Sequence, residues 1–141
     1  MTNSPALAYA APLGRILLSL IFIIAGLQKI PGYAGTQQYM DAMGVPGALL
    51  PLVIVLELVG GIALLIGWQA RITACLLAGF SLASGALFHL LPGLGMDGMA
   101  SQAEITSFMK NVSIAGGMLM IVALGAGPAS VDRKGVAVPA E

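Results

Sequence analysis

The sequence predicts an all-α integral membrane protein, a bundle of four transmembrane helices with both chain ends on the cytoplasmic side. Two compositional facts and one pattern carry that reading. Hydrophobic residues are 58% of the chain and charged residues only 9%, where a soluble domain usually carries about 25% charged residues. Mean hydropathy is +0.96, so the chain lacks the polar groups to cover a water-facing surface. The apolar residues also fall in four long runs without the alternation a membrane strand would need, which leaves helices as the spanning elements.

The first run covers residues 13–30 and ends at Pro31-Gly32. Upstream, residues 1–12 have no positive charge ahead of the apolar stretch, as a secretory signal would, and read as a short N-terminal tail. The second run, 49–68, follows Val45-Pro46-Gly47, and only a tight turn around Gln69 separates it from the third, 72–91. Pro92-Gly93-Leu94-Gly95 closes the third run. The fourth, 108–127, reaches spanning length only if its first turn includes Phe108 to Asn111; crossing the hydrocarbon takes about 20 residues. Between them, 93–108 reads as a long Gly-rich loop, either a lid or a connector. Residues 128–141 read as a cytoplasmic tail, mobile from Ser130 onward. The three parts, 1–12, 13–127 and 128–141, make a single membrane domain with two tails.

Charge sets the orientation. Arg15, Arg71, Arg133 and Lys134 fall on one side of such a bundle and Lys29 and Lys110 on the other; Lys and Arg favour the cytoplasm, so the ends are expected inside. Trp68 near the inner boundary, with Tyr33 and Tyr39 near the outer one, fits aromatic belts. In this reading Arg15 and Arg71 are topology determinants rather than site residues.

Composition also excludes some functions. A net charge of zero argues against a nucleic-acid partner, which needs clustered Lys and Arg. Cys75 is the one cysteine, so there is no intrachain disulfide, Cys-pair redox motif or zinc knuckle. Met96 and Met99 read as gap-fillers rather than copper ligands. No metal is expected at Glu57 and His89, which lack further ligands.

Glu57 is the sharpest signal. It lies seven residues past Leu50 in an apolar run, about 10 Å below the outer boundary at 1.5 Å per residue. A bare carboxylate there costs several kcal/mol, so it should face the bundle interior, hold a partner or stay protonated. Gly60 and Gly61, one turn on, would let a neighbouring helix or a ligand come close. His89, the single histidine, sits late in the third run, with Gly85, Ala86, Ser81 and Ala78 on its face. In the first run Arg15, Ser19, Phe22, Gly26 and Lys29 share one face at steps of three and four, and Gln28 adds an amide beside Lys29. Lys110 and Asn111 open the fourth run. Each position has a bland reading: a registry-fixing ion pair for Glu57, headgroup snorkelling for Lys29 and His89, and helix-start polarity for Lys110-Asn111. Convergence favours function, because Lys29, Glu57, His89 and Lys110 come from four helices yet share one depth. They can enclose a small polar and aromatic ligand.

The motifs resemble those of the DoxX family of small bacterial inner-membrane proteins. The resemblance runs from Arg15 to Asp132, through Phe22-x-x-x-Gly26-x-x-Lys29, Gly44-Val45-Pro46, Leu56-Glu57-x-x-Gly60-Gly61, Leu64 to Gly67 with Arg71, His89, Lys110-Asn111 and Gly125-x-Gly127-x-x-Ser130-x-Asp132. It implies four transmembrane helices and an association with quinone-dependent respiration, including thiosulfate:quinone oxidoreductase subunits, or with redox-stress complexes.

The function expected is therefore a membrane subunit that interacts with quinone or quinol. Glu57, His89 and Lys29 are the expected catalytic residues: His89 would bond one ligand oxygen, Lys29 would stabilise a reduced oxyanion and Glu57 would relay protons. Gln28, Gly60, Gly61, Lys110 and Asn111 are the expected ligand-binding residues. No covalently bound cofactor is expected. The sequence has no flavin motif, cysteine cluster or pair of axial histidines, so a redox protein partner is expected beside the bilayer itself; further copies of the chain are an open option. The alternative class is a proton-coupled small-molecule permease or a membrane scaffold without catalysis, since a buried Glu with Lys and His also suits a carrier.

Overall fold

The computed structural model describes residues 5–134, with side chains described from 9 to 132. The described residues form seven α-helices and no strand. Helix α1 (Pro5–Lys29) is followed by a short α2 (Tyr33–Ala42), then α3 (Leu50–Ile66) entered through a 3-10 turn at Gly47–Leu49. Helix α4 (Ala70–Gly85) runs through a π turn (Ala86–Leu90) into α5 (Leu91–Leu94). Helix α6 (Gly98–Leu124) and a final turn, α7 (Val131–Lys134), complete the described chain. Four stretches are long and apolar enough to cross a bilayer: Tyr9–Lys29, Gly47–Ile66, Ala70–Leu94 and Gly98–Leu124.

The spans agree with the hydropathy reading in number and order and differ at their ends. Helix α1 begins at Pro5, inside the expected tail, and continues through Pro12. The larger correction is the 93–108 loop. Only Gly95 to Asp97 separate α5 from α6, so the expected loop is mostly helix. Gln102, Glu104, Thr106 and Ser107 interrupt the apolar run, but no Gly or Pro lies between Met99 and Ala115 to break the backbone. At 27 residues, α6 is about 40 Å long, beyond the roughly 30 Å of hydrocarbon, so its polar first turns can stand clear of lipid. Helix α2, in the connector after Pro31-Gly32, was not foreseen either.

Helix α1 packs mainly on α3, and α4 mainly on α6. Small residues set these approaches. A Cβ on Gly61 would lie 2.7 Å from Ile23 Cγ1, and one on Gly85 would lie 2.8 Å from Asn111 Cβ. Phe22, Leu64, Ala74, Leu77, Ala78, Ala115 and Met118 form the buried core. Outward, Leu17, Leu52, Val59, Ile72, Leu76 and Leu124 are exposed, as a lipid-facing surface requires.

One end of the bundle is tied by polar groups whose partners are not legible in the sequence. Arg15 is buried and donates from Nε to the Leu65 carbonyl at 3.2 Å, from Nη1 to the Ala126 carbonyl, and from Nη2 to the Ala129 carbonyl at 2.7 Å. It therefore binds the start of α1 to the end of α3 and to the segment after α6. Asp132 accepts from the backbone N–H groups of Gln69 at 2.7 Å and Ala70 at 2.8 Å, capping α4 from a distant part of the chain. The turn between them is specific. Trp68 N–H donates to the Ala63 carbonyl and Gly67 N–H to that of Leu64, closing α3 as a Schellman motif with Gly67 at φ 69°. A Cβ on Gly67 would also collide with Ser130 and Arg15. Ser130 is buried, so the described part of the expected mobile tail is docked instead. Residues 135–141 and the side chains of Arg133 and Lys134, on which the orientation reading partly rests, lie outside the described ones.

Candidate functional site

At the other end of the bundle the polar residues converge. Gly26 is the reason α1 and α3 can meet there: a Cβ on it would lie 2.8 Å from the Leu58 side chain and 3.3 Å from Glu57 Cβ. One turn on, Lys29 Nζ donates to Glu57 Oε1 at 2.8 Å and more loosely to the Ala25 carbonyl at 3.4 Å. The Lys29 side chain is 25% exposed and that of Glu57 5%. Glu57 Oε2 is buried and has no hydrogen-bond partner among the described residues. This is the interior, partnered carboxylate that the hydropathy of its surroundings demands.

Across from this pair stands the π turn of Ala86–Leu90, closed by the Leu91 N–H donating to the Ala86 carbonyl. Such turns insert one residue into a helix and are frequent at functional sites. His89 lies in this turn and its Nδ1–H donates to Glu104 Oε2 on α6 at 2.8 Å; the two side chains are 34% and 32% exposed. Phe88 stacks on Tyr39 of α2 with ring centroids 5.6 Å apart and planes at 28°. The Tyr39 hydroxyl donates to the Phe88 carbonyl at 3.4 Å. Burial, with the Glu104 charge adding to it, pushes the Tyr39 phenol above its ordinary range, so it remains a neutral donor. Asp41 Oδ1 accepts from the Gly47 N–H at 2.7 Å and so fixes the end of α2 against the entry to α3.

These groups surround one cavity of about 300 Å³, at the small end of ligand pockets. All four spans and α2 line it: Phe22 and Lys29 from α1, Glu57 from α3, Phe80 and Ser81 from α4, His89 from the π turn, Asn111 and Ile114 from α6. Helices α1 and α6 meet outside this cavity, where a Cβ on Gly117 would lie 3.2 Å from the Leu18 side chain. Ile21 of α1 both lines the cavity and is 48% exposed, so the α1 wall of the cavity borders the lipid-facing surface.

The structure thus brings Lys29, Glu57, His89 and Asn111 to one volume. The others expected there lie elsewhere. Gln28 and Lys110 are exposed and outside the cavity wall, because each points away from the inward stripe of its helix. Gly61 packs on Ile23, and a Cβ on Gly60 would lie 3.1 Å from the Leu77 side chain; both serve helix approach. Glu104 and Tyr39 were missed, while Ser81, expected on the inward face of His89, does line the cavity. Glu104 was hidden by the loop reading, and Tyr39 by its fit to an interfacial belt.

Comparison with known proteins sets this geometry in a family. The family model described as DoxX matches residues 10–90. The chain is 50% identical over 119 residues to "Inner membrane protein YqjF" of Escherichia coli (strain K12), covering 84% of this chain and 86% of that one. It is 36% identical over 124 residues to "Inner membrane protein YphA" of the same organism, covering 86% and 87%. Over 64 residues, 45% of this chain and 48% of the other, it is 33% identical to "Putative oxidoreductase CatD" of Bacillus subtilis (strain 168). No solved structure matches. The match over most of the membrane-spanning region, together with two relatives aligned over most of both chains, shows that this four-span inner-membrane protein belongs to the DoxX family.

Proposed function

We propose that the protein is the membrane subunit of a quinone-linked system, binding quinone or quinol in the four-helix cavity and working with a redox protein partner. One observation carries the reading: a single cavity of about 300 Å³ has aromatic walls, a Lys29–Glu57 pair on one side and His89 on the other. A flat ring with an oxygen at each end matches that arrangement, and its isoprenoid chain can leave past the α1 wall into lipid. Bound there, the ligand supplies a two-electron, two-proton couple. The chain's own residues hold it: Phe22, Phe80 and Phe88 offer ring faces, Lys29 offers a cationic donor to one oxygen, and His89 faces the other. The DoxX membership and the printed name of the Bacillus relative support a redox association. The distribution of Lys and Arg supports an orientation with the Lys29 and His89 end outside the cytoplasm.

The test is mass spectrometry of lipids that co-purify in mild detergent. Quinone at close to one per chain, lost in His89→Ala and in the Lys29→Met, Glu57→Leu double variant, is the expected result. Absence of quinone combined with substrate flux in liposomes would replace this reading with a carrier.

A further inference from the structure

We propose that Glu104 makes the cavity selective for the reduced, hydroxyl-bearing form of its ligand by fixing the tautomer of His89. This inference deepens the quinone reading and rests on it. Glu104 is a positioning residue here, acting on the ligand only through the imidazole.

A carboxylate only accepts hydrogen bonds. At 2.8 Å from Glu104 Oε2, Nδ1 is the ring nitrogen that carries a proton, and the one-proton form of the ring therefore has Nδ1–H on Glu104 and a lone pair on Nε2. His89 lines the cavity, and Nε2 is the ring nitrogen left for a ligand. It presents an acceptor. Of the donors near it, the Tyr39 hydroxyl bonds the Phe88 carbonyl, Ser84 Oγ the Ser81 carbonyl, and one of the two Asn111 Nδ2 N–H groups the Ser107 carbonyl, which leaves the second Asn111 N–H and the Ser81 hydroxyl to serve a ligand oxygen away from His89. Across the cavity, Lys29 Nζ already serves Glu57 Oε1 and the Ala25 carbonyl, leaving one N–H.

A hydroquinone satisfies both ends. One hydroxyl donates to His89 Nε2 while the other oxygen accepts from Lys29. An oxidised quinone can still accept from Lys29, but at His89 its carbonyl lone pairs meet another lone pair and the contact goes unmade. A site built to hydrogen-bond a hydroxyl discriminates strongly against an analogue lacking it. The expected preference for the reduced form is about tenfold or more.

The single histidine makes the tautomer directly visible. With ¹⁵N-histidine label, the protein in lipid nanodiscs has one imidazole, and one pyrrole-type resonance at Nδ1 with one pyridine-type resonance at Nε2 is expected at neutral pH. Two pyrrole-type resonances, or protonation at Nε2 alone, would overturn the lock. Binding of a short-chain ubiquinol and its quinone is then measured on the same sample. Glu104→Leu should lose the preference and shift the proton to Nε2, and Glu104→Gln, whose amide oxygen can still accept from Nδ1–H, should keep most of both. Equal binding of the two forms with the Nδ1–H tautomer intact contradicts the selectivity while leaving the quinone reading standing. Failure of both forms to bind, with the tautomer intact, sinks the quinone reading and the selectivity together.

Discussion

Lys29→Met alone should destabilise the protein by about 3–5 kcal/mol, and adding Glu57→Leu should restore most of the loss. The Glu57 side chain is 5% exposed and that of Lys29 25%, so the two ends of the pair are not equivalent. Removing Lys29 strands a buried carboxylate whose Oε2 already lacks a partner among the described residues. Removing Glu57 leaves an ammonium on a flexible stem that can snorkel toward headgroups, so Glu57→Leu should cost less than Lys29→Met. Filling both positions with apolar side chains removes the desolvation cost altogether, because a well-packed apolar pair often matches or exceeds a buried ion pair in stability. The same double variant should nevertheless fail to bind quinone. Equilibrium unfolding in SDS with a parallel ligand titration separates the two effects. A double variant less stable than Lys29→Met would mean that the pair is held for structure rather than for a ligand.

Arg15→Met should cost about 3 kcal/mol or more, from the far end of the bundle. The guanidinium donates to three backbone carbonyls, those of Leu65, Ala126 and Ala129, and a buried carbonyl left unpaired costs about 1–3 kcal/mol. Methionine fills the space without supplying donors. Arg15→Lys should recover only part of the loss, since a single ammonium cannot match a planar fork aimed at three acceptors. Because Arg15 stands outside the cavity wall, quinone affinity per folded molecule should be unchanged. An equally large loss of affinity would mean that the Arg15 latch and the cavity are coupled.

The sequence made the spans and the inward polar residues legible for one physical reason. Hydrocarbon tolerates so few polar groups that Glu57, Ser19 and the Gly26–Lys29 face could only point inward. The same logic located His89, though not its partner. Glu104 lies less than two turns into α6, just past a Gly-rich break, and hydropathy alone does not distinguish polar helix from polar loop once the chain leaves the bilayer. Arg15 reads from sequence as a topology determinant, and its latching role is not legible there because its three carbonyl partners sit 50, 111 and 114 residues away. Gly60 and Gly61 were correctly read as close-approach positions, but which neighbour approaches is a tertiary fact. Ile23 and Leu77 occupy the space a ligand would have needed.

The central claim is that one cavity, walled by all four spans, holds the quinone ring between Lys29–Glu57 and His89. Photoaffinity labelling with an azido-quinone in native-like membranes, followed by peptide mapping, tests it most directly. Adducts are expected on the cavity-facing peptides of α1, α4 and α6, around Phe22, Ser81 and Asn111, all suppressed by excess unlabelled quinone. Adducts confined to the outer apolar surface, around Leu52, Val55 and Leu76, and insensitive to competitor would contradict it.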